Sequence, residues 1–408
     1  MKILFVSQHY RPEPFRLSDI CEDLVERGHE VTVLTGIPNY PEGKIYADYR
    51  NRQNRRETIE GVTVFRSYTI PRGKNTLHRI LNYFSFAISS SIGVLLGQYK
   101  AKDGSEFDCV FVNQSSPVMM AWAGMAYKNK YKKPLFLYCM DVWPDSLTVG
   151  GVKQDSLIFK LFKFISKKVY RASDYIFVTS PSFKNHFVKQ FDISEQKITY
   201  LPQYAEDLFI PDESIVNKES VDLTFAGNIG KAQNLETILK AASLIEKNTD
   251  LPKKIHFHFV GDGTELLSMK ALAHELELKN VSFYGRRSLE EMPTFYKKSD
   301  AMLVSLIGDS IVSRTIPGKV QSYMAAGKPI IGAISGDTKA IVEEANCGYV
   351  SPEQDVKQLA KNICEFSMLS IEEQKELGKQ ARYYYEKHFS KEQFMTQLEK
   401  YLREEFSS

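Results

Sequence analysis

Short apolar runs alternate with amphipathic helical stretches along most of this chain, and the pattern occurs twice. In the first half, the pattern predicts strands at residues 3–7, 31–35, 62–68, 109–113, 135–139 and 175–179. In the second half, it predicts strands at residues 222–226, 255–260, 281–284, 301–305 and 329–333. Apolar strands separated by helices are typical of parallel sheets that helices cover. The sequence therefore predicts an α/β protein with two Rossmann-like, doubly wound domains facing a central cleft.

The length of the chain agrees with two domains, because 408 residues exceed what one hydrophobic core usually organises. A strand-like stretch ends near Leu201-Pro202-Gln203, before a polar segment at 206–220. We therefore predict domains at 1–200 and 201–388. The helical stretch at 391–405 exceeds the needs of the second sheet, so we expect residues 389–408 to pack back on the first domain.

Charge and cysteine content exclude several classes of function. The net charge of +3 is too small to indicate nucleic-acid binding, and no basic block is interleaved with aromatic residues. The five cysteines form no C-x-x-C pair, which argues against a disulfide framework or a zinc site. The N-terminus enters an apolar strand directly and has no signal-peptide pattern. We expect reduced thiols and no export.

The strongest candidate site follows the first strand of the second half, at Gly227-Asn228-Ile229-Gly230-Lys231. Glycines allow a tight turn that presents backbone N–H groups, the next helix adds partial positive charge, and Lys231 adds a full charge. This combination is typical of phosphate binding. A plain strand–helix turn is the alternative, and the segment matches neither the Walker loop nor the G-x-G-x-x-G fingerprint.

Two further loops begin helices at the same predicted sheet edge. Gly261-Asp262-Gly263 follows the next strand, and the alternative to ligand contact there is an ordinary turn capped by Asp262 or Thr264. Pro317-Gly318-Lys319 opens a helix and adds another lysine. Ligands of open parallel sheets bind outside the carboxyl ends of the strands, so the three loops together favour a phosphate ligand in the cleft.

The first half also places polar residues after its strands. Residues 7–16 include His9, which is more often a structural residue than a catalytic one when it stands alone. Residues 113–117 contain Asn113, with helix capping and ligand contact left open. After a later strand come Asp141, for which we favour a contact with a sugar or acceptor hydroxyl, and Asp145, for which we favour an N-cap.

The chain resembles the GT-B glycosyltransferases of glycosyltransferase family 4, in particular the bacterial WbuB-like branch that builds O-antigen and capsule. The resemblance covers nearly the whole chain. Its motifs are specific in combination: residues 10–14 (YRPEP), 27–36 (RGHEVTVLTG), 38–41 (PNYP), 141–146 (DVWPDS), 227–233 (GNIGKAQ), 317–319 (PGK) and 323–329 (YMAAGKP).

The resemblance implies that a sugar is transferred from a nucleoside diphosphate donor, taken as UDP, with retention of anomeric configuration. It implies no metal ion and no other cofactor. It identifies Asp141, Lys231 and Lys319 as catalytic residues. The implied donor-binding residues are Gly227, Asn228, Gly230, Lys231, Gly261, Asp262, Tyr284, Gly285, Arg286, Arg314, Pro317, Gly318, Lys319 and Ser322. The implied acceptor-binding residues of the N-terminal domain are His9, Tyr10, Arg11, Glu13, Arg16, Asn113, Asp141 and Trp143.

The chain departs from the wider family at three positions. Most members carry two glutamates, with seven residues between them, that contact the donor sugar and the ribose, whereas this chain has Arg314 and Ser322 there. A histidine frequent in the family is Met140 here, which leaves Asp141 as the better candidate. The diphosphate leaving group can itself assist the incoming hydroxyl, so stabilisation of its charge is the main contribution expected of the protein.

The resemblance also implies a lipid-linked acceptor, a polyprenyl-diphosphate-linked saccharide, and a sugar of the N-acetylated amino or deoxy-amino class. Residues 80–97 are nearly long enough to span a bilayer, but their polar residues favour a packed or interfacial helix. Residues 155–172 mix apolar and basic residues, as in an interfacial helix or a buried helix with a basic face. We expect a peripheral protein on the cytoplasmic face of the plasma membrane.

Three other functions remain open at this stage. A nucleotide-sugar epimerase or phosphorylase uses the same two-domain scaffold. An NAD-dependent oxidoreductase is disfavoured, because neither half carries the dinucleotide fingerprint. A further alternative is a non-catalytic partner of a polysaccharide assembly complex, because the two glutamates are missing.

Overall fold

The computed structural model describes residues 1–73, 75–148, 150–211, 219–247, 251–308, 311 and 315–404. The chain forms two compact units. The first comprises residues 1–179, 183–201 and 397–408, and the second comprises residues 180–182 and 202–396. Each unit is built around its own sheet.

The sheet of the first unit has the strand order β3-β4-β2-β1-β5-β6-β7-β8. Neighbouring strands are parallel except for β3 and β4, which are antiparallel. The order reverses between β1 and β5, which is the point where open α/β sheets place their ligands. Its strands in the described residues are β1 (Lys2–Val6), β2 (Glu30–Thr35), β3 (Arg56–Ile59), β4 (Val62–Arg66), β5 (Cys109–Gln114), β6 (Leu135–Cys139), β7 (Tyr175–Val178) and β8 (Ile198–Tyr200).

Helices of the first unit cover this sheet with apolar faces. In α1, residues Leu17, Ile20 and Leu24 are buried at helical spacing, and Gly28 follows the helix with a φ of +87°. Asn75 caps α2 through the N–H of His78. The described helices here are α1 (Leu17–Glu26), α2 (Thr76–Leu95), α3 (Trp122–Tyr131), α4 (Leu157–Ala172) and α5 (Pro181–Phe191).

The second unit contains a fully parallel sheet with the order β11-β10-β9-β12-β13-β14, which reverses between β9 and β12. Leu223, Phe225, Phe257 and Phe259 point from it into a core closed by helices. Its described strands are β9 (Ser220–Ala226), β10 (Lys254–Val260), β11 (Val281–Gly285), β12 (Ala301–Ser305), β13 (Ile330–Ala333) and β14 (Gly348–Ser351).

The remaining helices follow in chain order. They are α6 (Leu235–Glu246), α7 (Leu266–Glu275), α8 (Met292–Lys298), α9 (Gly318–Ala325), α10 (Gly336–Glu344), α11 (Val356–Met368), α12 (Ile371–His388) and α13 (Lys391–Glu404). The end of α13 lies in the first unit, where Glu399 contacts Arg27 at 3.2 Å and His29 at 2.8 Å. Tyr401 packs against Phe177 in the same unit.

The structure confirms the predicted fold class of two parallel α/β units and every predicted strand, with ends shifted by at most two residues. The strand β8 corresponds to the strand-like stretch that ends near Leu201. The strands β3 and β14 were not predicted, because they have four residues each and do not form the continuous apolar run of a buried strand. In the part of the chain that the structure describes, no helix is long and apolar enough to cross a membrane.

Candidate functional site

The predicted phosphate turn follows β9 at the point where the order of the second sheet reverses. Gly227 leaves the strand with a φ of +143°, and its N–H donates to the carbonyl of Val260 at 2.9 Å. The N–H of Ile229 donates to the carbonyl of Asp262, also at 2.9 Å. A 3₁₀ turn at Lys231–Gln233 then leads into α6. The turn is therefore fixed to the loop after β10, while Gly227, Asn228 and Lys231 stay exposed.

The loop after β10 supports this turn from behind. A Cβ at Gly261, which has a φ of +147°, would lie 1.8 Å from the carbonyl oxygen of Gly227. A Cβ at Gly263 would lie 2.3 Å from the carbonyl oxygen of Ile229. Both positions therefore require glycine for the close approach of the two loops. The role of Gly261 that the structure displays is support for the phosphate turn.

The alternative of a capped turn at this loop is wrong. Glu265 is the N-cap residue of α7, and it makes no capping hydrogen bond with its side chain. The Asp262 carboxylate is exposed and accepts a hydrogen bond from the N–H of Gly263 at 2.8 Å. Neither Asp262 nor Thr264 therefore caps the helix.

Helix α9 is fixed directly to the end of β9. The Tyr323 hydroxyl accepts a hydrogen bond from the N–H of Ala226 at 3.0 Å and donates one to the Ala226 carbonyl at 3.1 Å. Pro317 is the N-cap residue and supplies no side-chain cap, so the N–H groups of Gly318 and Lys319 begin the helix without a cap. The first turn of α9 is thus held next to the residue that precedes Gly227.

The side chain of Lys319 extends from α9 towards the phosphate turn. Its Nζ is 3.0 Å from the position that a Cβ on Gly227 would occupy, and it donates to Gln233 Oε1 at 2.6 Å. The same nitrogen lies 3.8 Å from the centroid of the Phe225 ring. Burial lowers the pKa of Lys319 to about 7. Within the described residues no carboxylate forms an ion pair with it, so an anion at this turn would supply the missing opposite charge.

The other predicted donor residues have different surroundings. Tyr284 and Gly285 end β11, and the Gly285 carbonyl accepts a hydrogen bond from the N–H of Gly261 at 2.9 Å. The Tyr284 hydroxyl lies 2.9 Å from His258 Nδ1. Arg286 is exposed. Arg314 lies outside the described residues.

Two groups near this region were missed in the sequence, namely the pair of Asp222 and His258, and Glu206. His258 Nε2 lies 2.9 Å from Asp222 Oδ1, which extends the Tyr284 contact into a chain of three polar side chains on one face of the sheet. Ser322, buried on α9, has its Oγ 3.4 Å from Glu206 Oε2. The alternation of Asp222 and His258 with apolar strand residues could have indicated the first group, whereas no local pattern indicates the second.

In the first unit, the loop after β1 is organised by Glu13. Its Oε1 accepts hydrogen bonds from the N–H groups of Asn39 and Tyr40 at 2.7 and 2.6 Å. Its Oε2 lies 2.9 Å from Nδ1 of His9, whose ring stacks on Phe15. Glu13 is 3% exposed. These contacts correct the prediction of an acceptor contact for Glu13, because both of its oxygens hold neighbouring loops together.

Two other predicted acceptor contacts are also contradicted. Tyr10 is 0% exposed and Trp143 is 2% exposed. The Trp143 indole N–H donates to Ser116 Oγ at 2.5 Å, and its ring packs edge-on against Phe162. Both aromatic side chains therefore belong to the packed interior, and they fix the loops that carry them.

The arginines of this loop and Asn113 are placed differently. Arg11 pairs with Glu22 through two hydrogen bonds of 2.5 and 2.8 Å. Arg16 is half-buried at the position that precedes α1. Asn113 is nearly buried within β5, and the nearby 3₁₀ helix begins after Pro117 without a side-chain cap. The helix-capping alternative for Asn113 is therefore wrong.

Asp141 follows β6 at the carboxyl edge of the first sheet. Burial raises the pKa of its carboxyl, and the negative charge of Asp145 acts in the same direction, while the polar side chains of Ser116, Ser146 and Trp143 oppose the rise. A perturbed carboxyl at a strand end is typical of a functional group. The carboxylate of Asp145 lies 3.1 Å from His186 Nε2.

Two parallel α/β units, with a glycine turn and a helix start at the reversal point of the second sheet, define the GT-B class of glycosyltransferases. The family description "Glycosyltransferase Family 4" matches residues 16–203, and "Glycosyl transferases group 1" matches residues 208–384. The chain belongs to glycosyltransferase family 4.

Two relatives agree with this membership, and a solved structure shares the fold. WbjE of Pseudomonas aeruginosa, named as a glycosyltransferase, is 26% identical over 62% of this chain and 65% of its own length. WcaI of Escherichia coli K12, named for glycosyl transfer in colanic acid biosynthesis, is 25% identical over 80% of this chain and 82% of its own length. HepE of Anabaena, solved with UDP and glucose, superposes with a TM-score of 0.70 at 15% identity, covering 99% of this chain and 100% of HepE.

Proposed function

We propose that this glycosyltransferase transfers a sugar from a UDP-sugar to a lipid-linked saccharide, with retention of configuration, in the biosynthesis of a bacterial surface polysaccharide such as capsule or O-antigen. The observation that carries the proposal is the position of Lys319, a partly buried ammonium group beside the Gly227 turn with no carboxylate partner among the described residues. The UDP in HepE and the colanic acid pathway in the name of WcaI support the donor and the pathway.

The donor diphosphate is proposed to lie against the Gly227 turn. The N–H groups of Asn228 and Lys231, two exposed residues of the turn, and the uncapped start of α9 would bind its oxygens. Lys231 and Lys319 would neutralise the charge that grows on the diphosphate as its bond to the sugar breaks. Preorganised positive groups of this kind are usually the largest contribution to such catalysis.

Retention follows if the incoming hydroxyl attacks from the face that the diphosphate leaves. The acceptor proton then passes to the leaving phosphate oxygen, so no protein nucleophile and no metal ion are required. Asp141 is proposed to bind the acceptor hydroxyl, since its carboxyl lies at a strand end with a raised pKa. The sugar is proposed to be an N-acetylated amino or deoxy-amino sugar.

The acceptor is proposed to reach the enzyme at the cytoplasmic membrane surface. Two helices of the first unit carry apolar side chains that face solvent: Ile80, Leu81, Ile88, Ile92 and Leu95 on α2, and Leu157, Ile158, Leu161 and Phe164 on α4. Lys160 and Lys168 are also exposed on α4. An apolar face with flanking lysines suits the interface of an anionic bilayer.

A transfer assay with the Lys231→Ala variant tests this proposal. The variant should lose at least about tenfold in transfer to a polyprenyl-diphosphate-linked acceptor, which corresponds to roughly 1.4 kcal/mol of transition-state stabilisation. Lys240→Ala, on the exposed side of α6, is the matched control and should retain full activity. Equal turnover by the Lys231→Ala variant and the wild type would reject the site.

Two further measurements separate the alternatives. An epimerase would convert the donor into an isomer without any acceptor, whereas the proposed transferase would hydrolyse it slowly at most. Transfer in the presence of EDTA tests the proposed independence of metal ions, and loss of activity that Mg²⁺ or Mn²⁺ restores would contradict it.

A further inference from the structure

Glu206 lies close to the first turn of α9, although it is far from this helix in sequence. Its Oε2 is 3.4 Å from Ser322 Oγ, and the same Oγ is 3.4 Å from the Gly318 carbonyl oxygen. Ser322 follows Lys319 by three positions in α9. The two residues are therefore almost one helical turn apart and are neighbours on the helix surface. The Glu206 carboxylate therefore belongs to the same region of the second unit as the Lys319 ammonium.

The segment that carries Glu206 is fixed by aromatic packing. The N–H of Phe209 donates to the Glu206 carbonyl at 3.1 Å. The Phe209 ring stacks on Tyr296, with centroids 4.8 Å apart, and Tyr296 packs edge-on against Tyr323 of α9 at 5.4 Å. Tyr323 is the residue that also fixes α9 to the end of β9. The carboxylate and the phosphate turn are thus held by one set of buried side chains.

The chemistry of a carboxylate restricts what it binds at this position. A carboxylate would repel a diphosphate, so Glu206 is not a phosphate ligand. An ionised carboxylate is an acceptor with two oxygens, and adjacent hydroxyl groups are donors that suit it. In a nucleoside diphosphate, the part next to the phosphates that carries two adjacent hydroxyls is the ribose.

We infer that Glu206, together with Ser322, binds the ribose hydroxyls of the donor nucleotide. This inference rests on the proposed function. It assigns a residue to the ribose contact, for which the sequence has serine in place of the expected glutamate. A glutamate is expected at position 322 by resemblance, and the serine at this position carries no carboxylate. Glu206 brings a carboxylate to the same helix turn from a segment 116 positions earlier in the chain.

Binding of UDP and of 2′-deoxy-UDP, measured by titration calorimetry, tests the inference. The wild-type protein should bind UDP at least about tenfold more tightly than 2′-deoxy-UDP, because the analogue leaves a carboxylate oxygen without its donor. Glu206→Ala should weaken UDP binding and bring the two affinities to within about twofold of each other. The matched control is Asp207→Ala, at the exposed neighbouring residue, which should preserve the wild-type ratio.

A double variant separates ligand binding from a purely structural role of Glu206. Glu206→Ala combined with Ser322→Glu returns a carboxylate to the helix turn, and it should restore the preference for UDP over the deoxy analogue. Wild-type protein that binds both nucleotides equally, or a Glu206→Ala variant that keeps the full preference, would overturn the inference while leaving the proposed function standing. Absence of UDP binding to the wild type would contradict the proposed function, and the inference with it.

Discussion

The Nζ of Lys319 lies 3.8 Å from the centroid of the Phe225 ring. The aromatic face and the Gln233 side chain are the groups that solvate this ammonium inside the second unit. They compensate only in part for its removal from water, because burial still lowers its pKa to about 7. Bound diphosphate would provide the charge that the surroundings of Lys319 lack.

Replacement of Lys319 by methionine should separate donor binding from stability. Lys319→Met keeps a flexible chain on the Phe225 ring but removes the charge, so UDP affinity should fall at least about tenfold. The thermal unfolding midpoint should stay the same or rise, since no charge has to be buried. Calorimetry and thermal unfolding measure the two effects, with Lys240→Met as the matched control. Unchanged UDP affinity would refute the assigned role of Lys319.

The affinity for UDP should fall as the pH rises from 7 to 9. In the free protein Lys319 loses its proton near pH 7, and a bound diphosphate should raise its pKa, so binding above that pH requires the uptake of a proton. The phosphates, whose second pKa is about 6, are already largely ionised in this range. The expected decrease approaches about tenfold per pH unit, and it should disappear in Lys319→Met. A flat profile in the wild type would contradict the lowered pKa.

Asp141→Asn should impair transfer while favouring the folded state. Burial raises the pKa of the Asp141 carboxyl, so the folded protein binds this proton more tightly than the unfolded chain. Stability therefore decreases as the pH rises through the interval between the ordinary and the raised pKa, and asparagine removes this effect. We expect a higher unfolding midpoint than wild type at neutral pH, a smaller difference in acid, unchanged UDP affinity and at least about tenfold slower transfer. Full transfer activity in this variant would exclude Asp141 from acceptor binding.

The exposed apolar residues of α4 should determine membrane attachment. Leu157, Leu161 and Phe164 are 84%, 57% and 58% exposed. Replacing all three by serine should abolish flotation with anionic liposomes at moderate salt, because the apolar area available to the interface is lost. Leu267→Ser, at an 80% exposed position of the second unit, is the matched control and should float like the wild type. Failure of the wild type itself to float would remove the proposed attachment.

The two-unit fold and the glycine turn after β9 were predictable because their signals are local. Continuous apolar runs give the buried strands, and Gly227 and Lys231 follow one of them within five residues. The position of Lys319 beside that turn follows from a rule of parallel sheets, since loops after neighbouring strands meet at one edge. The structure adds the Tyr323 hydroxyl, whose hydrogen bonds with the backbone of Ala226 fix α9 to the end of β9.

The roles of Glu13, Trp143 and Glu206 could not be predicted, since their partners are distant in sequence. Glu13 looks like an exposed acid in a polar loop, but its partners Asn39 and Tyr40 come from a loop more than twenty residues later. Trp143 lies in a polar motif and becomes buried when α4 packs over it. Ser322, which contacts Glu206, is 116 positions away in the chain, and no local sequence pattern indicates such a contact.

The central claim is that the Gly227 turn, Lys231 and Lys319 bind the diphosphate of the donor. Calorimetric titration of the wild-type protein with UDP and with UMP tests it most directly, because the two ligands differ only in the second phosphate. We predict that UDP binds at least about tenfold more tightly than UMP, as expected for charge-assisted hydrogen bonds to the added group. Equal affinities for UDP and UMP would contradict the claim.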